Sequence, residues 1–250
     1  MNGNILLTGV TDGIGLALAN LYTQNGWRVL GVGRRPAGDG QQPLRPPNVY
    51  LQTDLSLPGA ADIISALLPA HGITRLDALI HNAAQGWVGP AADHPSASID
   101  ALLATNIYAP ITLTHALLPR LIAAHGVVAF VSSVFSVLPA PEFAVYNASK
   151  AAIDGFARNL RIELRGKVDV LTLWPGATAT GIHAKSGMSD ARIARLRRAQ
   201  PEQVAESIFR SVRRRRSGAT NAANSLLRWM APRFEGILDP LMINAGRRKS

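Results

Sequence analysis

Cysteine is absent from these 250 residues, which excludes a disulfide framework, a thiol nucleophile and a thiolate-held metal. The six histidines fall without the spacing of metal ligands, so no metal centre is expected. Long apolar runs are missing too. None approaches the roughly 18 residues needed to cross a bilayer. The apolar residues 5–8 are too few for the h-region of a secretory signal, and a cytoplasmic location is expected. Negative charge is sparse: 16 Asp and Glu stand against 26 Lys and Arg, a formal net charge of +10. That imbalance is unevenly shared. Residues 1–180 hold 11 of each sign, whereas residues 181–250 hold 15 basic and 5 acidic side chains. The first part has the balance of a neutral soluble enzyme, and the excess lies wholly in the last 70 residues.

What is present is apolar content, 47% of the chain, enough at this length for the core of one large α/β domain. Short apolar, strand-like runs at residues 4–8, 28–33, 49–52, 76–81, 127–132 and 168–174 alternate with helix-like stretches. The helices are read at residues 16–25, 59–70, 96–124, 143–164 and 201–216. Strands alternating with helices imply a parallel, doubly wound sheet of Rossmann type in a single domain. Ligands in such folds lie beyond the carboxyl ends of the strands. Gly9, Asn82, Ser133 and Pro175 each follow an expected strand end, so they converge on one edge.

The first strand runs into Thr8-Gly9-Val10-Thr11-Asp12-Gly13-Ile14-Gly15 and then a helix. Strand, glycine turn and helix form the setting of a dinucleotide phosphate loop. Glycine lets the backbone approach a pyrophosphate, and the helix N-terminus offers free N–H groups and partial positive charge. The spacing is G-x-x-x-G-x-G. Thr8, Gly9, Thr11, Gly13, Ile14 and Gly15 are therefore candidate cofactor contacts. The second strand ends in Gly33-Arg34-Arg35, where an acid would accept hydrogen bonds from an adenosine ribose. No acid is there. Two arginines suit a 2′-phosphate instead, which favours NADP(H) over NAD(H). Asp54 and Leu55 follow the third strand where the adenine would lie, and Asn82-Ala83-Ala84 ends the fourth near the nicotinamide ribose.

Tyr146 and Lys150 stand four apart in a helix-forming run, so both can face one small volume. A phenol ordinarily loses its proton near pH 10. A neighbouring ammonium favours the phenolate and is expected to lower that value. Reaching about 7 takes roughly 4 kcal/mol, which a desolvated lysine beside a cationic nicotinamide ring could supply. Tyr-x-x-x-Lys alone says little. Its company says more: Ser133 closes the fifth strand thirteen residues upstream, and the glycine turn opens the chain.

These residues together resemble the short-chain dehydrogenase/reductase family over roughly residues 3–210. The matching pieces are Thr8-Gly9-x-x-x-Gly13-Ile14-Gly15, Asp54, Asn82-Ala83, Asn106, Ser133, Tyr146-x-x-x-Lys150 and Pro175-Gly176 followed by Thr180. The resemblance implies a catalytic tetrad of Asn106, Ser133, Tyr146 and Lys150. In it Tyr146 protonates the carbonyl oxygen during reduction and Ser133 hydrogen-bonds that oxygen. Lys150 binds the nicotinamide ribose and lowers the tyrosine pKa, and Asn106 holds a water of the proton relay. Pro175, Gly176, Thr178 and Thr180 join the cofactor site, Thr180 at the nicotinamide amide. Three departures stand out. The usual Asn-Asn-Ala-Gly reads His81-Asn82-Ala83-Ala84. Asp12 fills a loop position that is often basic in NADP-using members. The usual last strand is not recognisable, since residues 217–224 make a poor one, and this bears on the family's common tetramer.

The expected organisation is a Rossmann-fold domain over residues 1–216 and a basic, apolar-striped segment over 217–250. In the latter, Leu226, Leu227, Trp229, Met230, Phe234, Ile237, Leu238, Leu241, Met242 and Ile243 recur near helical period, interrupted by Pro232 and Pro240. Arg228, Arg233, Arg247, Arg248 and Lys249 surround them. Packing on the enzyme or a dimer partner, contact with an anionic membrane surface and nucleic-acid binding are the readings of this segment. The last lacks basic–aromatic interleaving, and no nucleic acid is expected.

Two function classes follow. One is an NADPH-dependent carbonyl reductase, or the reverse alcohol dehydrogenase, working as a homodimer or homotetramer. The other is a non-catalytic NADP-binding regulator using its basic tail. Ser133, Tyr146 and Lys150 favour the enzyme, because a sensor needs no proton donor. Phe135, Val137, Leu138 and Phe143 would line an apolar slot that Trp87 closes. Lys185, Arg192, Arg195, Arg197 and Arg198, against Asp190, would give it a cationic mouth. Such a slot suits a hydrophobic ketone or an acyl chain on an acidic carrier, such as a 3-oxoacyl thioester; a small neutral ketone suits it nearly as well.

Overall fold

The computed structural model describes residues 2–36, 44, 47–182, 186–189, 198–233 and 236. Seven parallel strands form one sheet: β1 (Asn4–Thr8), β2 (Arg28–Gly33), β3 (Val49–Gln52), β4 (Ala78–His81), β5 (Val127–Val131), β6 (Asp169–Trp174) and β7 (Gly218–Ala219). Their order is β3-β2-β1-β4-β5-β6-β7. The chain moves outward one way from β1 to β3, then restarts at β4 on the other side. The switch point lies between β1 and β4, where a parallel sheet opens a crevice at its carboxyl edge.

Side chains alternate across the sheet, as strand geometry requires. Leu6, Leu30, Leu79, Val128 and Phe130 face one layer, made by α2 (Ala60–Leu67), α4 (Ala109–Ala124) and α5 (Ala144–Glu163). Ile5, Leu7, Val29, Ile80, Ala129 and Leu171 face the other, made by α1 (Gly13–Gln24) and α6 (Pro201–Arg213). Tyr22 of α1 meets Phe209 of α6 edge to face, with ring centroids 4.8 Å apart. Each fully buried Leu, Ile or Phe contributes about 1.5–3 kcal/mol relative to exposure, and both layers are rich in them.

The helical stretch from residue 96 to residue 124 is not one regular helix. It consists of α3 (Ser96–Leu103), a π-helical turn (Ala104–Tyr108) and α4. By length and hydropathy this stretch would suffice to cross a membrane. Its apolar residues Leu113, Leu117 and Leu121 are instead buried in the core.

The sheet continues past the boundary expected after Arg216. Gly218–Ala219 adds two rungs to β6, through the pairs Leu173–Gly218 and Trp174–Ala219. A last strand therefore exists where the sequence showed none. Two residues, one of them glycine, are too short for period-two alternation to register. Helix α7 (Ala222–Met230) follows, its N-terminus capped by the Asn221 side chain, which accepts from the Asn224 N–H.

Candidate active site

Thr8 ties the ends of β1 and β4 together. Its hydroxyl accepts from the amides of Asn82 and Ala83, both at 3.0 Å. The Asn82 side chain donates back through Nδ2 to the Thr8 carbonyl at 3.1 Å. Gly9 leaves the strand at φ 75°, and a Cβ there would lie 2.9 Å from Ala83 Cα. A Cβ on Gly15 would overlap the Gly9 carbonyl and the Asn82 amide. Gly13, at φ 53°, meets the Thr180 methyl, which a Cβ would approach to 2.6 Å. These three glycines are needed for packing within the chain as well as for any approach of a ligand.

Helix α1 begins at Gly13 with no side-chain cap and no acid in its first turn. Its first N–H groups therefore suit an anion, and the fit to a pyrophosphate is good. Beside this loop the Arg35 guanidinium donates to the Thr11 carbonyl at 3.1 Å and pairs with Asp12 at 3.6 Å. Arg34 is exposed next to it. Among the described residues at the end of β2 no acid stands in the ribose position. Asp54 Oδ1 accepts from the amide and hydroxyl of Ser56, which fixes the turn before Leu55.

Ser133 caps a short turn at residues 134–136, its hydroxyl accepting from the Phe135 amide at 3.2 Å. The Val134 amide donates to the Pro175 carbonyl at 3.1 Å, which seats this turn on the Pro175-Gly176 bend. Tyr146, in the first turn of α5, has the Ser133 side chain close enough to act on its phenol. Its ring meets Phe143 edge to face at 6.4 Å, and Phe143 stacks on Phe135 at 6.1 Å. Aromatic side chains thus gather beside Tyr146. Trp87 stacks on His94, with ring centroids 4.1 Å apart.

Lys150 is buried, and its ammonium donates to the Val131 carbonyl at 3.0 Å. It stands 5.7 Å from the centre of the Tyr146 ring. The pKa of the Tyr146 phenol is raised, where a lowering was expected. Burial pushes the Tyr146 phenol up to about 12, a rise that the Ser133 hydrogen bond partly offsets. Burial likewise brings Lys150 down to about 8, against the attraction of Asp154. Desolvation is the largest cause of both shifts.

Asn106 sits in the π-helical turn and is almost fully buried. Its carbonyl oxygen accepts from the Gln85 amide at 2.8 Å, and its amide donates to the Gln85 carbonyl at 2.9 Å and to Ser149 at 3.0 Å. The residue clamps the strand of chain that carries Ala83 and Ala84. Thr178 lies buried where residues 178 and 199 bridge, its hydroxyl donating to the Gly176 carbonyl. Lys185, Asp190, Arg192, Arg195, Arg197, Phe234 and residues 237–250 lie outside the described residues.

Several participants were not singled out from the sequence: Gln85, Ser149, Asp154, Trp174 and the role of Arg228. Asp154 carried a signal, since it stands four after Lys150 on the same helix face.

The family model for short chain dehydrogenases matches residues 3–190. Serine 3-dehydrogenase of Agrobacterium fabrum is 33% identical over 184 residues, 72% of this chain and 74% of that protein. Sulfoacetaldehyde reductase 2 of Chromohalobacter salexigens is 32% identical over 224 residues, 84% of this chain and 88% of its own. The closed form of a serine dehydrogenase complexed with NADP+ superimposes with a TM-score of 0.74 at 26% identity, covering 82% of this chain and 87% of that one. With its glycine turn, its Ser133–Tyr146–Lys150 corner and these relatives, the chain belongs to the short-chain dehydrogenase family and is an oxidoreductase.

Proposed function

We propose that the protein reduces a ketone to an alcohol with NADPH, or runs the reverse oxidation. The observation that carries this reading is the Ser133 side chain beside the Tyr146 phenol, with Lys150 buried 5.7 Å from the Tyr146 ring. The nicotinamide supplies the hydride when bound. Tyr146, held protonated at neutral pH by its burial, gives its proton to the carbonyl oxygen, and Ser133 hydrogen-bonds that oxygen. Lys150 holds the ribose, and Asn106 keeps the Gln85 backbone in place beside it. Asn82, Pro175 and Gly176 border the ring, and the N-terminus of α1 takes the pyrophosphate. Arg34 and Arg35 favour NADP(H), a choice supported by the NADP+ carried by the serine dehydrogenase structure. A regulator without turnover would have no use for a phenol set beside a serine and a buried lysine.

Phe135, Phe143 and Tyr146 favour an organic group of some apolar extent. A hydrophobic ketone or a 3-oxoacyl thioester fits that wall, and small polar substrates are suggested by the relatives' names. The test is a screen following NADPH absorbance with ketones, 3-oxoacyl thioesters, long-chain aldehydes and sulfoacetaldehyde, and NADP+ reduction with serine. Turnover of at least one carbonyl, with loss on Tyr146→Phe, is expected. No turnover across the panel despite tight NADPH binding would favour the regulator.

We assign the outer face of α7, with Leu226, Leu227 and Trp229 exposed, to contact with an anionic membrane surface by a cytoplasmic enzyme. Arg233 stacks over Trp229 at 4.7 Å, which sets a cation beside an aromatic as an interfacial anchor requires.

A further inference from the structure

Helix α7 also has an inner face, and there a half-buried arginine reaches the Ser133 turn. Arg228 Nη2 lies 3.2 Å from Asp154 Oδ2, with both side chains 17% exposed. Its Nη1 lies 2.5 Å from the Ser136 hydroxyl and 3.4 Å from the Ser133 carbonyl. The guanidinium plane stacks 4.0 Å from the centre of the Trp174 ring. Trp174 Nε1 in turn donates to the Asp154 carboxylate, at 3.0 and 2.9 Å. Ser136 completes the set, its hydroxyl 2.6 Å from Asp154 Oδ2 and 2.9 Å from the Ser133 carbonyl. Three pieces of chain meet at this arginine: the Ser133 turn, the middle of α5 and the end of β6. On α5, Asp154 stands one turn beyond Lys150. At the end of β6, Trp174 precedes Pro175-Gly176.

We infer that Arg228 is a positioning residue for the Ser133 hydroxyl, fixing the 133–136 turn against α5 and β6 from the far side. The inference rests on the role given to Ser133 and Tyr146 above. The guanidinium is suited to it: a rigid planar fork serves a carboxylate and a loop oxygen at once, and its face stacks on an indole. A lysine reaches one of these partners and stacks poorly. Without the fork, Asp154 keeps Trp174 and Ser136 as partners, but the Ser133 carbonyl loses its link to α7. Displacement of a reacting group by about 1 Å lowers turnover by up to roughly 100-fold, so the loss is expected in kcat.

The test uses the full chain with Arg228→Met and Arg228→Lys, and with Tyr146→Phe as the reference. Ethyl 3-oxobutanoate serves as carbonyl probe, NADPH affinity is read by fluorescence, and amide exchange is read on peptides covering residues 132–138. Arg228→Met is expected to lower kcat by about tenfold or more and to speed exchange in 132–138, with NADPH affinity within about twofold and exchange in β1 and α1 unchanged. Arg228→Lys keeps a cation beside Asp154 and is expected to lose about threefold, which keeps the test open if the methionine variant does not fold. Exchange in 132–138 equal to wild type in the folded variants, or kcat within about twofold of it while Tyr146→Phe is inactive, overturns the inference. Full turnover by Tyr146→Phe instead overturns the catalytic reading, and the exchange data still judge Arg228.

Discussion

At the scale of the residue, the site depends on desolvated groups whose pKa values are shifted by burial. Tyr146→Phe removes the proton donor and leaves the ring, so turnover is expected to fall by about 10²–10⁴-fold with NADPH binding nearly intact. Stopped-flow absorbance with fluorescence titration checks it; residual turnover above about a hundredth of wild type speaks against the role. His81 offers a second test, through pH. It is fully buried, stacks on Phe130 and has Nε2 2.8 Å from the Thr114 hydroxyl. That hydroxyl donates to the Pro110 carbonyl, so His81 Nε2 carries the proton toward it. Burial lowers the His81 pKa from 6.5 to about 3. The folded state thus holds it neutral, while the unfolded chain takes up a proton below about pH 6.5. Its contribution to stability is complete above that pH and is lost as pH falls toward 3. Between pH 7 and 4.5 His81→Asn is expected to lose roughly 2–3 kcal/mol less than wild type in urea unfolding. Parallel losses in the two proteins would remove His81 from the acid response. Ser133, Tyr146 and Lys150 were legible in the sequence because their spacing within 18 residues survives as geometry. The pKa shifts of Tyr146 and Lys150 were not, since these follow from the burial of both side chains, which no spacing reveals.

At the scale of the element, β1, β2 and β3 fell on the residues expected, because short apolar runs bounded by glycine and polar turns leave little freedom. Residues 96–124 were legible as helix but not as helix, π turn and helix. The π turn spans Asn106 and directs it to Gln85 and Ser149, and i→i+5 turns of this kind leave no period in the sequence. Asn106→Ala leaves the half-buried Gln85 amide and carbonyl without these partners. A loss of about 3 kcal/mol is expected, at about 1–3 kcal/mol for each unsatisfied group. The urea midpoint at unchanged m-value measures it; a change below about 0.5 kcal/mol would mean that water replaces the clamp. The end of β2 carries a separate expectation. Arg34→Ala together with Arg35→Ala should lower the NADPH/NADH ratio of kcat/KM by about tenfold or more, given about 1.5–3 kcal/mol for a charge-assisted hydrogen bond. An unchanged ratio would place the discrimination elsewhere. Arg35 already serves Thr11 and Asp12, so part of the loss is expected as looser packing of the glycine loop.

At the scale of the molecule, charge and topology divide the chain differently. The charge boundary lies near residue 180, where the sequence placed it. The structural boundary expected after Arg216 is crossed by β7 and by the reach of Arg228, and composition carries no trace of either. The outer face of α7 gives the molecule-wide expectation. Vesicles containing phosphatidylserine should bind the protein at low ionic strength and release it as the Debye length falls from about 10 Å at 0.1 M salt to about 3 Å at 1 M. Phosphatidylcholine vesicles should bind it far less, and Trp229→Ala should weaken both. Equal binding to both lipids, or none, removes the surface from consideration. The position of Arg228 has a last consequence, which concerns time. Synthesis delivers Ser133 95 residues before the arginine that holds its carbonyl. The glycine turn, β1 to β6 and the Tyr146 helix can all form on the ribosome before then, N-terminal parts first. Until Arg228 leaves the ribosome, the Ser133 carbonyl of a nascent chain lacks its link to α7.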